Sequence, residues 1–326
     1  MTYKIGTVFC ITMLLVNYLL GFMSFDFPRD SIEARDAGAA VVLPILTTLC
    51  FVGQGFLVRV FTQNMSVLIA HRRGRTLEQV SIYLKHIILT NVKRALPFIF
   101  GIMLFVVAVY FSSQGLILAD TGNQYRYILL LQALPLWISI LCFAYTVLVI
   151  YMLMHRHIAK NLRVRLFEIE KMQPLSNIVL ASFSVASALV SVYAMQVVVI
   201  NIPLADIILI STALMLTLGL LIWPLVVVRA KLYESRENTV DRLNESLNIQ
   251  LQRQPETKST RRLVDDNIRM QFISDLLLVR KEVAETSLFP INLPFTSKLV
   301  MLMLLPFVSW VGAALVSQML KVVVPV

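Results

Sequence analysis

Uncharged apolar runs long enough to cross a lipid bilayer recur along this chain, and its basic residues crowd into alternate gaps between them. A bilayer core demands about 20 consecutive apolar residues per helix. Closed barrels also satisfy their backbone in lipid, but they need alternating apolar and polar residues. Here the runs are continuously apolar, so each predicted span is a helix. Only 15% of the residues are charged, where a soluble domain carries about 25%. The expected fold class is therefore all-α, a polytopic transmembrane helical bundle.

Run length predicts seven spans, at 4–23, 37–60, 95–119, 127–154, 176–200, 204–228 and 299–320. Asn201-Ile202-Pro203 separates the fifth from the sixth, and proline and asparagine there turn the chain tightly. The alternative, one long bent helix, would be about twice what a membrane needs. The first run does not fit a signal peptide. Only Lys4 precedes it, and Ser24-Phe25-Asp26-Phe27-Pro28 offers no small-x-small cleavage site, so it reads as a retained span. In the last run, Pro306 leaves open a re-entrant segment instead of a full crossing.

Orientation follows from the charges. Segments 59–94, 155–175 and 229–298 hold 7, 5 and 12 Lys or Arg residues, which is 24 of the chain's 29. The 24–36 loop is net acidic through Asp26, Asp30, Glu33 and Asp36. Cytoplasmic loops retain Lys and Arg, so the basic segments and the N-terminus are expected inside, and the C-terminus outside. The same rule explains the net charge of +10 without a nucleic-acid partner.

Three parts result: a bundle of six helices over 1–229, a cytoplasmic helical hairpin over 230–298 and a C-terminal transmembrane helix over 299–326. Near 72–94, Leu77, Val80, Leu84, Ile87 and Ile88 recur at helical spacing. Arg72, Arg73, Arg75, Lys93 and Arg94 flank them as candidate lipid-headgroup contacts. That pattern suits a helix lying on an anionic inner leaflet, or equally one packed on the bundle. In the hairpin, Val240, Leu243, Leu247 and Leu251 mark one amphipathic helix, and Gln254-Pro255 breaks it. A second runs from about Ser259 to Glu285, with Leu263, Val264, Ile268, Phe272, Leu276 and Val279 on one face. Pro290 to Pro294 reads as a stiff non-helical link.

Polar residues inside spans are where chemistry can hide, because hydrocarbon makes them expensive. Gln54, Gln132, Gln196 and Asp206 are the candidate pore or solute contacts, with Asn17 beside them. The amides serve equally as hydrogen-bonding glue between helices. Gly53-Gln54-Gly55 permits either close helix packing or local unwinding. Asp206 either offers a cation site at an outer mouth or supports the start of the sixth helix through the dipole. Ala181, Ser184, Ala188 and Ser191 form a small-residue face, suited to a bundle interface or a pore lining.

Cys10, Cys50 and Cys142 lie in apolar runs and read as packing residues. His155-x-His157 has the wrong spacing for one helical face. No HExxH, GxSxG, P-loop or GxGxxG is present, so no catalytic, cofactor or metal site is expected.

The C-terminal end carries a resemblance. Val279-Arg280-Lys281-Glu282-Val283, Leu293-Pro294-Phe295 and Leu305-Pro306-Phe307-Val308-Ser309-Trp310-Val311-Gly312 together resemble the ends of uncharacterised bacterial multipass membrane proteins. Those pair an arginine-containing helix with a Trp-Pro-Phe turn, where this chain has Leu293, and with a final span holding Pro and a Ser-Trp-Gly-like group. The resemblance covers about forty residues and implies a bacterial inner membrane. The functional expectation is a non-enzymatic pore-forming or pore-gating component, as a homo-oligomer, with a cytoplasmic protein partner at 230–290. A secondary transporter and a scaffold or anchor subunit are the alternatives.

Overall fold

The computed structural model describes residues 2–23, 31–73, 76–113, 126–161, 173–194, 204–252, 261–285 and 293–323. Within them lie eight helices: α1 Thr2–Leu19, α2 Ile32–Arg73, α3 Leu77–Ser113, α4 Arg126–Asn161, α5 Gln173–Ala194, α6 Leu204–Gln252, α7 Arg261–Glu285 and α8 Leu293–Val323. Among the described residues, five stretches are long and apolar enough to cross a membrane: Ile32–Ile69, Leu77–Ser112, Tyr127–Ile158, Gln173–Ala194 and Ser297–Met319. The protein is thus an all-α, membrane-embedded helical bundle.

The two other expected spans fare differently. The first helix stops at Leu19 rather than 23. Gly21 takes a left-handed φ of 78°, the Phe22 N–H bonds the Asn17 carbonyl at 3.1 Å, and the Gly21 N–H bonds the Tyr18 carbonyl at 3.1 Å. This paired closure is a Schellman cap, and it turns Phe22 into the core. The sixth span is helical from Leu204, but the side chains of 204–211 and of most residues up to 225 lie outside the described residues. The Asn201-Ile202-Pro203 turn and the Gln254-Pro255 break lie outside them too.

Several helices run on beyond their apolar stretches. α3 is one helix of 37 residues, about 55 Å at 1.5 Å per residue. The expected surface helix near 72–94 is therefore not a separate element. Arg72 and Arg73 end α2, and 77–94 form the first half of α3. The stripe there faces inward, with Val80, Leu84 and Ile88 buried. Thr76 opens the helix, its Oγ1 accepting from the Gln79 N–H at 3.4 Å, which satisfies a donor that helix geometry leaves orphaned. Ser31 does the same for α2, accepting from the Ala34 N–H at 3.1 Å.

α6 is the longest helix, with 49 residues spanning about 73 Å. It carries the chain from the sixth apolar run into the charged hairpin without a break. α8 includes Leu293-Pro294-Phe295 and continues through Pro306. Proline is tolerated in a first helical turn, so Pro294 belongs to the helix and not to the expected link, whose residues 290–292 lie outside the described residues, and Pro306 does not fold the helix back.

α2 is the hub of the bundle, touching α1, α3, α4 and α5, while α5 also meets α6 and α8. The largest core lies toward the basic end. Phe61 and Met65 of α2, Ile88 of α3, Ile150 and Ile158 of α4, Ile178 and Val179 of α5, Val228 and Leu232 of α6 and Val283 of α7 all join it. Toward the opposite end, Phe22, Ala40 and Leu129 form a smaller cluster. The hairpin is thus seated on the bundle through its own apolar residues.

Candidate functional site

The polar residues inside the bundle form two separate nodes. In the first, Asn17 is fully buried and pairs reciprocally with Gln132. Its Nδ2 donates to Gln132 Oε1 at 3.0 Å, and Gln132 Nε2 donates to Asn17 Oδ1 at 2.6 Å. Asn17 Nδ2 also donates to the Ala40 carbonyl at 2.7 Å. One amide pair so joins α1, α2 and α4. An unpaired amide in an apolar interior costs about 1–3 kcal/mol, which explains why both partners are present together.

In the second node, Gln54 Nε2 donates to Thr146 Oγ1 at 2.7 Å, and Thr146 donates back to the Cys142 carbonyl in its own helix at 2.7 Å. Ala40 and Gln54 both lie on α2, and their fourteen-residue separation corresponds to about 21 Å along the axis. Gln54 and Gln132 therefore do not converge. Gln196 lies outside the described residues. Asp206 stands in the first turn of α6, where a helix dipole favours an acid, but its side chain lies outside the described residues.

Gly53 belongs to the packing around the second node. A Cβ there would approach Val185 Cγ1 of α5 at 2.5 Å, so only glycine lets α2 and α5 come this close. The helix continues through Gly53-Gln54-Gly55 without unwinding. On α5, a hydroxyl outside the expected small-residue face reaches another helix. Ser187 donates to the Leu302 carbonyl of α8 at 2.8 Å, whereas Ser184 bonds the Ala181 carbonyl of its own helix at 2.9 Å.

Basic and aromatic residues mark the two ends. Away from the basic end, Arg35 Nη2 donates to the Tyr110 hydroxyl at 2.7 Å, and its guanidinium stands 5.9 Å from that ring's centroid. Tyr110 also lies 6.2 Å from Trp137, tilted by 59°. Tyrosine and tryptophan gather where hydrocarbon gives way to headgroups, and this group links α2, α3 and α4 there. At the basic end, Lys231 Nζ donates to the Ile158 carbonyl at 2.7 Å, and Arg236 donates to the Ala284 carbonyl. Ile158 and Ala284 stand in the last turns of α4 and α7, whose carbonyls lack helical partners and carry the negative end of the dipole. Two cations of α6 thus close two other helices.

Of the candidate headgroup contacts, Lys93 and Arg94 are exposed on α3. The side chains of Arg72 and Arg73, and all of Arg75, lie outside the described residues. About one helical turn beyond Lys93, between α3 and α4, an open groove of about 310 Å³ is lined by Leu96, Pro97, Ile99, Phe100 and Ile138. Among the described residues, no three His, Cys, Asp or Glu side chains converge as metal ligands would.

Sequence reading singled out Asn17, Gln54 and Gln132 but not what they bind. The Ala40 carbonyl leaves no trace in a sequence, and Thr146 is one of several threonines in apolar runs. The Lys231 and Arg236 caps had a usable signal: two cations five residues apart, directly after an apolar run, where helix ends meet.

These features define a helical membrane protein whose interior polar groups tie helices together. Comparison with protein-family models, curated proteins and solved structures finds no match to this chain.

Proposed function

We propose that this chain is a non-enzymatic, multipass component of a bacterial inner membrane, with its N-terminus in the cytoplasm. Its hairpin at 230–290 takes a cytoplasmic partner or signal and passes it to a bundle that forms or gates a pore as a homo-oligomer. The observation that carries this reading is the continuity of α6. A partner that tilts the hairpin moves the same continuous helix that packs on α4 and α5. Met270, Phe272, Leu277 and Leu278 of α7 are exposed, which supplies apolar contact surface for such a partner.

A scaffold or anchor subunit is the second reading, favoured by the use of Gln54 and Gln132 within the chain's own packing. A transporter site built from Gln54 and Gln132 is disfavoured because their two nodes stand at different levels of the bundle, one beside Ala40 and the other beside Thr146. The test is ion flux through purified protein in liposomes, comparing wild type with Asp206→Asn and with Glu234→Gly/Ser235→Gly, which loosens α6 between its two caps. Flux altered by the glycine pair, in a protein that still melts cooperatively, is the expected result. No flux from wild type at any voltage or ionic condition would sink the pore reading and leave the scaffold.

A further inference from the structure

The groove between α3 and α4 combines an apolar trough with nearby positive charge, and neither part explains itself alone. Its five lining residues are all apolar. Successive helical residues turn by about 100°, which places Lys93 on the same face of α3 as Leu96, Pro97 and Phe100, one turn nearer the basic end. Arg94 is adjacent, and both cations are exposed. No ion pair to either is found among the described residues. Lys93 also falls where α3 passes from its charged half into its apolar half, which the reading of 95–119 as a span puts at the headgroups.

We infer that this groove binds one anionic glycerophospholipid, an acyl chain lying along Leu96, Pro97, Phe100 and Ile138 and the phosphate meeting Lys93 and Arg94. The inference deepens the membrane reading of α3 and rests on it. Charge complementarity selects the ligand. A zwitterionic lipid brings its own ammonium next to the two cations, whereas an anionic one leaves them a net negative partner. The trough accepts an apolar chain because burying hydrocarbon against other hydrocarbon needs no hydrogen-bonding group from the wall.

The experiment is native mass spectrometry of the full chain in detergent, titrated with phosphatidylglycerol or with phosphatidylethanolamine of the same chain length. Wild type is expected to hold phosphatidylglycerol saturably and in preference. Lys93→Gln/Arg94→Gln should weaken that binding by roughly thirtyfold, at about fivefold per charge, and leave phosphatidylethanolamine unchanged. Ile138→Trp, which fills the trough, should weaken both lipids. Lys85→Gln, exposed on α3 two turns away, should bind as wild type does, and an unchanged melting temperature in each variant separates lost binding from lost folding. Equal binding of the two lipids, or an unaffected Lys93→Gln/Arg94→Gln variant, would overturn the site. So would a dimer that Ile138→Trp dissolves, which would give the groove to a second copy. Binding in detergent does not depend on which leaflet the site faces, so the orientation proposed above can fail while the site stands.

Discussion

Gly53 and Gly101 have the same chemistry and opposite surroundings. An added methyl at Gly53 meets Val185 at 2.5 Å, whereas at Gly101 nothing lies within 4 Å. Valine is stiff about χ1, so Val185 cannot swing away cheaply. Gly53→Ala is therefore expected to destabilise by about 1–3 kcal/mol, the usual range for overpacking, which exceeds the gain of up to about 1 kcal/mol that alanine brings to a helix. Gly101→Ala keeps the gain alone. Melting temperatures in detergent check this, and a Gly53→Ala protein as stable as Gly101→Ala would refute the close approach of α2 and α5. The Asn17–Gln132 pair makes a second prediction at this scale. A double-mutant cycle with Asn17→Ala and Gln132→Ala should give a coupling of about 0.6–1.7 kcal/mol, the span seen for hydrogen bonds inside membrane proteins. Additive losses would mean that the amides act independently. Both positions stood out in the sequence as polar residues in apolar runs. That they bond each other did not, since 115 residues separate them and only the packing of α1 against α2 and α4 brings them together.

At the scale of elements, apolar runs found the helices but not their ends. α2, α3 and α6 each continue beyond their apolar stretch, because a helix leaving the bilayer can bury one face against neighbours and keep its other faces polar. Val80, Leu84 and Ile88 carried that periodicity, but a stripe on a membrane surface looks the same in sequence as a stripe against a bundle. The end of α1 shows the converse. The apolar run goes on to Met23, yet the left-handed Gly21 stops the helix at Leu19. The caps from α6 give the prediction proper to this scale. Arg236→Ala removes one charge-assisted bond to the end of α7, worth about 1.5–3 kcal/mol. Amide exchange over 278–285 should then accelerate by at least roughly tenfold if that turn opens locally, while α4 stays protected. Lys231→Ala should instead release the last turn of α4. Uniform acceleration across both helices in either variant would show that the caps do not act locally.

For the whole molecule, the geometry bears on the sixth crossing, the one set off from the fifth by Asn201-Ile202-Pro203 alone. α5 starts at the basic end, where Leu175 and Ile178 join the main core, and runs away from it to Ala194. By Lys231, α6 is back at that end, bonded to Ile158. The 27 residues from Leu204 to Lys231 cover about 40 Å as a helix, enough to traverse a hydrocarbon core of about 30 Å. Charge in the sequence had assigned the basic segments to one side, and the return of α6 supplies a path that agrees with it. Cysteine labelling decides the matter. In a background with Cys10, Cys50 and Cys142 replaced, Tyr127→Cys and Gln271→Cys place single thiols at exposed positions on α4 and α7. Between them lie α4, α5 and the apolar half of α6. Three crossings put the two thiols on opposite sides, so an impermeant maleimide added to spheroplasts should label Tyr127→Cys at once and Gln271→Cys only after permeabilisation. Two crossings would put them on the same side. Labelling of both from one side would therefore remove 204–228 as a span, and labelling of Gln271→Cys alone would keep the span but invert the protein and move the hairpin out of the cytoplasm.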